Sequence, residues 1–185
     1  MPLRQIGVGL LVVVLGIRVA GFDLLIDPIG WLLVIGASQR IGGDPGTRAR
    51  VTTAAVVAFL VSLPLAVPPL ARRVADADPS VAWALSLPQI AVVLLLAMHL
   101  SSTAREGHDP DAAAWWRWAR TGAIVVALAP VVVYPSGSLE LIGVTLFLGL
   151  LTMLFTVGLL LRHAGRPWAT ATGPVISAPE APPPS

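Results

Sequence analysis

The sequence predicts an all-α protein, a polytopic bundle of six transmembrane helices. Of the 185 residues, 56% are hydrophobic and 12% are charged, whereas a soluble domain carries about a quarter of its residues as charged types. Apolar runs long enough to cross a bilayer, about 20 residues of helix, recur along the chain. All twelve basic residues are arginines, and their distribution supports the same fold.

The first two spans are less regular than the others. Arg18 interrupts one of them, and Asp27 with Pro28 interrupts the other. If segment 24–41 entered the membrane and returned, the chain would have five spans. A cleaved signal peptide is the alternative for the first segment, but Arg18 falls where a cleavage region should be neutral. The spans are expected at about 5–22, 24–41, 51–71, 81–101, 119–135 and 139–161.

The arginines predict the topology. With six spans, nine of them fall on one side of the membrane, two on the other and Arg18 within the first span. Arginine is enriched in cytoplasmic loops, so both termini are expected in the cytoplasm. With five spans, eight arginines would fall on the cytoplasmic side and three on the other, and the N-terminus would lie outside. The nine are Arg4, Arg40, Arg48, Arg50, Arg105, Arg117, Arg120, Arg162 and Arg166.

The transmembrane domain is expected to occupy residues 1–168, followed by a proline-rich, disordered cytoplasmic tail over 169–185. Within the domain, Asp109-Pro110-Asp111 is typical of a helix start, which predicts a short interfacial helix over 111–120.

There is no cysteine, and neither a metal site nor a cofactor motif is recognised. The basic residues are too sparse to follow a nucleic acid.

An internal repeat is indicated at an offset of 113 residues. Residues 4–36 then align with 117–149 without a gap, and ten of the 33 positions are identical. Asp27 aligns with Glu140, also an acid. The pattern predicts that the first hairpin is duplicated in the third, although shared membrane composition is the alternative explanation.

Ionisable side chains at span ends are the first candidates for a functional site, because a charge in lipid is unfavourable. Arg18 is close in sequence to Asp23 and Asp27, and Tyr134 and Glu140 are expected at the same depth near the outer face. This outward-facing group could bind a substrate, an ion or a proton. The structural alternative is that both acids begin helices and that Arg18 snorkels outward.

Prolines place a second candidate group deeper in the membrane. Pro64, Pro88 and Pro130 fall within three successive spans, and each leaves a backbone carbonyl without its helical donor. Ser86 and Gln89 could satisfy such carbonyls or line a polar path. Kinks that support helix packing are the alternative.

Between the first two spans, the segment Asp23-Leu24-Leu25-Ile26-Asp27-Pro28-Ile29-Gly30-Trp31 resembles a pattern, D-x-L-P-D-x-x-G-[YW], of small uncharacterised multi-pass membrane proteins of Gram-positive bacteria. Here Ile26 stands in place of the usual proline, and Pro28 follows the acid. The resemblance implies a bacterial plasma-membrane protein and implies no activity.

Three functions remain open from the sequence. The first is an accessory or interaction protein of the plasma membrane, with no chemistry of its own. The second is a small transporter or channel that uses the outward-facing polar group. The third is a lipid-modifying enzyme, although no catalytic motif or catalytic residue is recognised. The expected partners are the lipid bilayer and either a second copy of the chain or another membrane protein.

Overall fold

The computed structural model describes residues 1–16, 26–42 and 45–169. Arg18, Asp23 and the predicted tail beyond Ala169 lie outside these ranges. Within them the chain is helical and contains no strand. The elements are α1 Pro2–Gly16, α2 Ile26–Ser38, α3 Pro45–Leu65, α4 Pro68–Ala75, α5 Pro79–Glu106, α6 Pro110–Val133 and α7 Leu139–His163, with short 3₁₀ helices at Tyr134–Ser136 and Pro167–Ala169.

Four of the described helices, α3, α5, α6 and α7, are long and apolar enough to cross a membrane. Helices α1 and α2 are also apolar but contain 15 and 13 residues, which correspond to about 22 and 20 Å of helix. The all-helical fold with several helices capable of spanning a membrane is thus confirmed. The count of six spans stays a prediction.

Helix α3 ends at Leu65, earlier than the predicted end at Ala71, because two prolines follow. Val67 has φ −96° and ψ 115°, the extended backbone that a following proline favours. Pro68 then begins α4, since a proline is tolerated in the first turn of a helix but not in its interior. None of the residues of α4 is buried, so this short helix lies outside the packed interior.

Two of the long helices begin with an aspartate followed by a proline. The Asp78 carboxylate accepts a hydrogen bond from the backbone N–H of Ser80 at 2.8 Å and caps α5. Asp109 accepts one from the N–H of Ala112 at 3.0 Å and caps α6. The predicted interfacial segment 111–120 is therefore the first part of one continuous helix.

Six helices form a closed ring of neighbours. Helix α1 packs against α2 and α7, α3 packs against α2 and α5, and α6 packs against α5 and α7. Helices α5 and α7 also touch, which narrows the ring. The start of α2 and the start of α7 thus lie on helices between which α1 stands in the ring.

Contacts between distant segments show that alternate helix ends meet at one end of the bundle. The Arg40 guanidinium, just after α2, donates to Gln5 Oε1 in α1 at 2.9 Å. The Trp168 indole, just after α7, donates to Asp109 Oδ2, just before α6, at 3.1 Å. We call this the basic end, because the nine arginines assigned to one side in the sequence lie on the helix ends and connections that meet there.

The interior is packed most densely in the half of the bundle nearer the basic end. The buried residues of α5 run from Val92 to Ala104, those of α6 mainly from Ala112 to Ala123, and those of α7 mainly from Met153 to His163. Large side chains in this half that are at most 1% exposed include Leu3, Ile6, Leu96, Trp116 and Leu160. The opposite half holds a cavity between α5, α6 and α7.

Candidate functional site

The described members of the outward-facing polar group lie on different elements. Asp27 lies in the first turn of α2 and Glu140 in the first turn of α7, and α1 lies between these helices. Glu140 is exposed, whereas Tyr134 is half-buried beside a cavity between α5, α6 and α7. Arg18 and Asp23 lie outside the described residues, so their prediction stays untested.

The proline group divides into two parts. Pro64, Pro88 and Pro130 all lie inside helices, as the sequence predicted. Pro130 lines the cavity together with Ser86 and Gln89, whereas Pro64 and Pro88 do not. Three members of the proline group therefore meet Tyr134 of the outward-facing group, a combination that the sequence did not indicate.

The cavity lies in the half of the bundle away from the basic end and has a volume of about 480 Å³. Sites for small molecules typically measure about 300–1,000 Å³. Most of the lining is apolar and comes from α5, α6 and α7, with Val14 added from α1. Its polar side chains are those of Trp83, Ser86, Gln89, Tyr134, Thr145 and Thr152.

One wall of the cavity is held by a hydrogen bond at the kink in α6. Pro130 has no N–H, so the carbonyl of Val126 loses its helical donor and the helix is distorted nearby. The Trp83 indole of α5 donates to the adjacent carbonyl of Ala127 at 3.1 Å. This bond fixes the distance between α5 and α6 beside the cavity, and it satisfies the indole N–H.

Two more of the polar side chains bond to their own helices. Ser86 Oγ donates to the carbonyl of Trp83 at 2.7 Å, and Thr145 Oγ1 donates to the carbonyl of Leu141 at 2.8 Å. These hydroxyls are satisfied as donors but keep lone pairs that can accept a further bond.

Gln89, Tyr134 and Thr152 differ from the other polar side chains of the cavity. All three are half-buried there, and their side chains form no hydrogen bond with the described residues. An amide offers two donors and an acceptor, and a phenol offers one donor and an acceptor. The polar atoms of Gln89 and Tyr134 therefore remain available to contact a bound molecule.

Among the described residues, the lining contains no Asp, Glu, Lys, Arg or His. The cavity therefore presents neutral hydrogen-bonding groups on an apolar wall. Such a surface matches a neutral amphiphile with a hydroxyl or carbonyl headgroup, because a charge placed there would be desolvated without a partner of opposite sign.

A separate polar cluster lies at the basic end. Asp109 accepts the indole N–H of Trp168 in addition to capping α6. The backbone N–H of Ala112 and that indole hold the pKa of the Asp109 carboxyl below its ordinary value of 3.8. Arg166 lies 3.7 Å from the same carboxylate but is half exposed, so it contributes little.

Aromatic packing surrounds this cluster. The ring of His163 lies 5.6 Å from that of Trp168 and 5.9 Å from that of Trp116, measured between centroids. The cluster thereby joins the segment after α7 to the start of α6. Asp109 serves as a cap and an acceptor, and no group of three metal-ligating side chains occurs in the described part of the chain.

The sequence missed the cluster because 59 residues separate Trp168 from Asp109, and neither residue carries a signal for the other. Trp83 was also missed as a cavity residue. No protein-family model matches this chain, nor does any curated protein or solved structure.

Proposed function

We propose that this chain is an integral protein of the bacterial plasma membrane with six spans and both termini in the cytoplasm. Four membrane-capable helices and the gathering of arginines at one end support this. The resemblance of the Asp23–Trp31 segment to Gram-positive membrane proteins supports the bacterial assignment.

Within that membrane the protein works as an accessory protein that binds a neutral amphiphile, without chemistry of its own. The observation that carries this proposal is the cavity of about 480 Å³ in which Gln89 and Tyr134 have no hydrogen-bond partner among the described residues. With the basic end in the cytoplasm, the cavity lies at the depth of the outer leaflet. The molecule would therefore enter from that leaflet.

Two features favour binding over ion transport or catalysis. The described residues place no charged side chain in the cavity lining, whereas ion pathways and acid–base chemistry rely on groups that carry or exchange charge. The half of the bundle nearer the basic end is densely packed around Leu96, Trp116 and Leu160, so the described helices enclose the cavity on that side.

Binding of two probes that differ in headgroup charge tests the proposal. The full-length protein in mild detergent is mixed with monooleoylglycerol, a neutral amphiphile, or with oleate, its anionic counterpart, and the bound fraction is measured by native mass spectrometry. We expect preferential binding of monooleoylglycerol. Gln89→Leu and Tyr134→Phe should each weaken it about fivefold, as expected for one lost hydrogen bond.

Met98→Leu serves as the matched control, since Met98 lies on the same helix as Gln89 but is 49% exposed on the outer surface of the bundle. This variant should bind like the wild type. Equal binding of oleate, or retention of full affinity in the double variant Gln89→Leu/Tyr134→Phe, would show that the cavity does not recognise a neutral headgroup.

A further inference from the structure

A second recess lies at the basic end, on the outer surface of α3. Its volume is about 520 Å³, and it lies between the turn that follows α2 and the first half of α3. It is separate from the cavity among α5, α6 and α7, with which it shares no residue. The lining residues are Gln39, Pro45, Arg48, Ala49, Thr52, Thr53, Val56 and Val57.

The polarity of this recess changes along the helix axis. Arg48, Thr52 and Thr53 lie nearest the basic end, and Val56 and Val57 follow one turn deeper. Leu60, a further turn along, is 55% exposed on the outer surface. A cationic and hydroxyl-bearing entrance above an apolar strip is the order in which a phospholipid presents its phosphate and its acyl chain.

Arg48 carries the charge of the recess. Its side chain is half-buried there, and it forms no hydrogen bond or ion pair with the described residues. It also lies in the first turn of α3, where the helix dipole disfavours a cation. Enrichment of arginine in cytoplasmic loops accounts for a positive charge at this end, but not for an arginine that is half-buried at a recess.

Arg50 provides an internal comparison. It lies two residues further along α3, but it is exposed and does not line the recess. In the part of the chain that the structure describes, no acidic side chain lines the recess either. The charge complementarity of the recess therefore favours an anionic ligand, and its apolar floor favours one with an acyl chain.

We propose that this recess binds an anionic phospholipid of the cytoplasmic leaflet, with its phosphate at Arg48 and Thr53 and one acyl chain along Val56 and Val57. The choice of leaflet rests on the orientation proposed above, and the site itself does not depend on the cavity between α5, α6 and α7. The lipid would fill the outer surface of α3 and fix the depth of the basic end in the membrane.

Native mass spectrometry of the full-length protein in a neutral detergent tests this assignment. Phosphatidylglycerol, which is anionic, and phosphatidylcholine, which is zwitterionic, are added separately at equal concentration. We expect stronger retention of phosphatidylglycerol. Arg48→Gln should lower that retention about fivefold, the factor expected for one basic residue near an anionic lipid surface, and Arg48→Lys should lower it less. Arg50→Gln should leave it unchanged.

Three results would overturn the proposal: equal retention of the two lipids, an equal loss in the Arg48 and Arg50 variants, or competition by glycerol phosphate as effective as that by the whole lipid. Arg48→Gln should fold normally, because the side chain has no partner in the described protein. Val57→Ser offers a second variant that makes the apolar floor more polar without adding a charge, and it should also lower retention. In detergent, the expected difference in lipid retention between the Arg48 and Arg50 variants does not depend on the membrane orientation. The proposed orientation and the proposed lipid site can therefore fail separately.

Discussion

Gly9 and Gly30 bring α1 and α2 into backbone contact. A Cβ atom placed on Gly9 would lie 2.6 Å from the carbonyl oxygen of Gly30, and one placed on Gly30 would lie 2.6 Å from the carbonyl oxygen of Gly9. No Cβ atom fits at such a distance. Small residues allow this kind of close approach between membrane helices, and here each glycine is required by the backbone of the other.

We predict that Gly30→Ala lowers the free energy of unfolding by about 1–3 kcal/mol, because a new methyl group in a packed interface forces a backbone shift. Gly36→Ala is the matched control on the same helix, because nothing lies within 4 Å of its Cβ position. That change should be neutral or slightly stabilising, as alanine favours helix. Denaturant titration in micelles measures both, and equal effects would argue against the close crossing.

The predicted internal repeat can be compared at the same positions. Gly122, the counterpart of Gly9, lies against Thr152, with its Cβ position 3.0 Å from Thr152 Oγ1. Nothing lies within 4 Å of the Cβ position of Gly143, the counterpart of Gly30. The two hairpins therefore do not cross at equivalent glycines, and the duplication stays a prediction.

We predict that Trp168→Phe lowers the unfolding temperature by about 2–4 °C, the range expected when one such contact is lost from a protein of this length. The phenyl ring keeps most of the aromatic packing but cannot donate to Asp109. Trp118→Phe is the control, because Trp118 is 67% exposed. Thermal unfolding in detergent compares the variants, and similar shifts would mean that the indole bond contributes nothing.

The hydrogen bonds to Asp109 also predict a dependence on pH. Its lowered pKa means that, near and below the ordinary value of 3.8, the unfolded chain binds more protons than the folded one. The contribution of Asp109 to stability is thus fully present above pH 3.8 and is lost as the pH falls through the lower folded-state pKa. Asp109→Asn should remove this part of the acid sensitivity, as judged from unfolding temperatures between pH 3 and 6.

Asp78 offers a parallel test of the acid effect. The side chain and the backbone N–H of Ser80 lower the pKa of the Asp78 carboxyl. The contribution of Asp78 to stability is therefore also lost as the pH falls. Asp78→Asn should therefore remove a separate part of the loss of unfolding temperature at acid pH. If neither substitution changed the pH profile, other groups would control acid unfolding.

Glu140 distinguishes binding from transport. It is exposed at the first turn of α7 and does not line the cavity, so Glu140→Gln should leave the binding of monooleoylglycerol unchanged. Loss of the favourable interaction with the helix dipole should lower stability by less than about 1 kcal/mol. Abolished flux or proton coupling in Glu140→Gln, with expression maintained, would favour the transporter hypothesis instead.

The absence of cysteine from the sequence allows a direct test of orientation. We expect Ala77→Cys, in the connection between α4 and α5, to react with a membrane-impermeant maleimide in intact spheroplasts. Glu106→Cys, at the end of α5, should react only after the membrane is permeabilised. Both residues are exposed, and the reverse pattern of labelling would contradict cytoplasmic termini.

Local sequence signals predicted individual elements well. The aspartate–proline pair at Asp109 predicted a helix start because the cap and the ring act within one turn. The end of α3 was placed too late, although Pro68 and Pro69 were visible, because hydropathy alone does not register a proline break. Val67 shows the extended backbone that this break requires.

The sequence by itself determined that the chain is helical and apolar enough for a membrane, and on which helix ends the arginines lie. These properties depend on composition and on neighbours within a few residues. Only the tertiary structure decided that Gln89 and Tyr134 share a cavity, that Gly9 meets Gly30, and that Trp168 reaches Asp109. Those contacts join different elements of the chain, and they depend on the rotation and crossing of each helix, which a predominantly apolar sequence leaves unspecified.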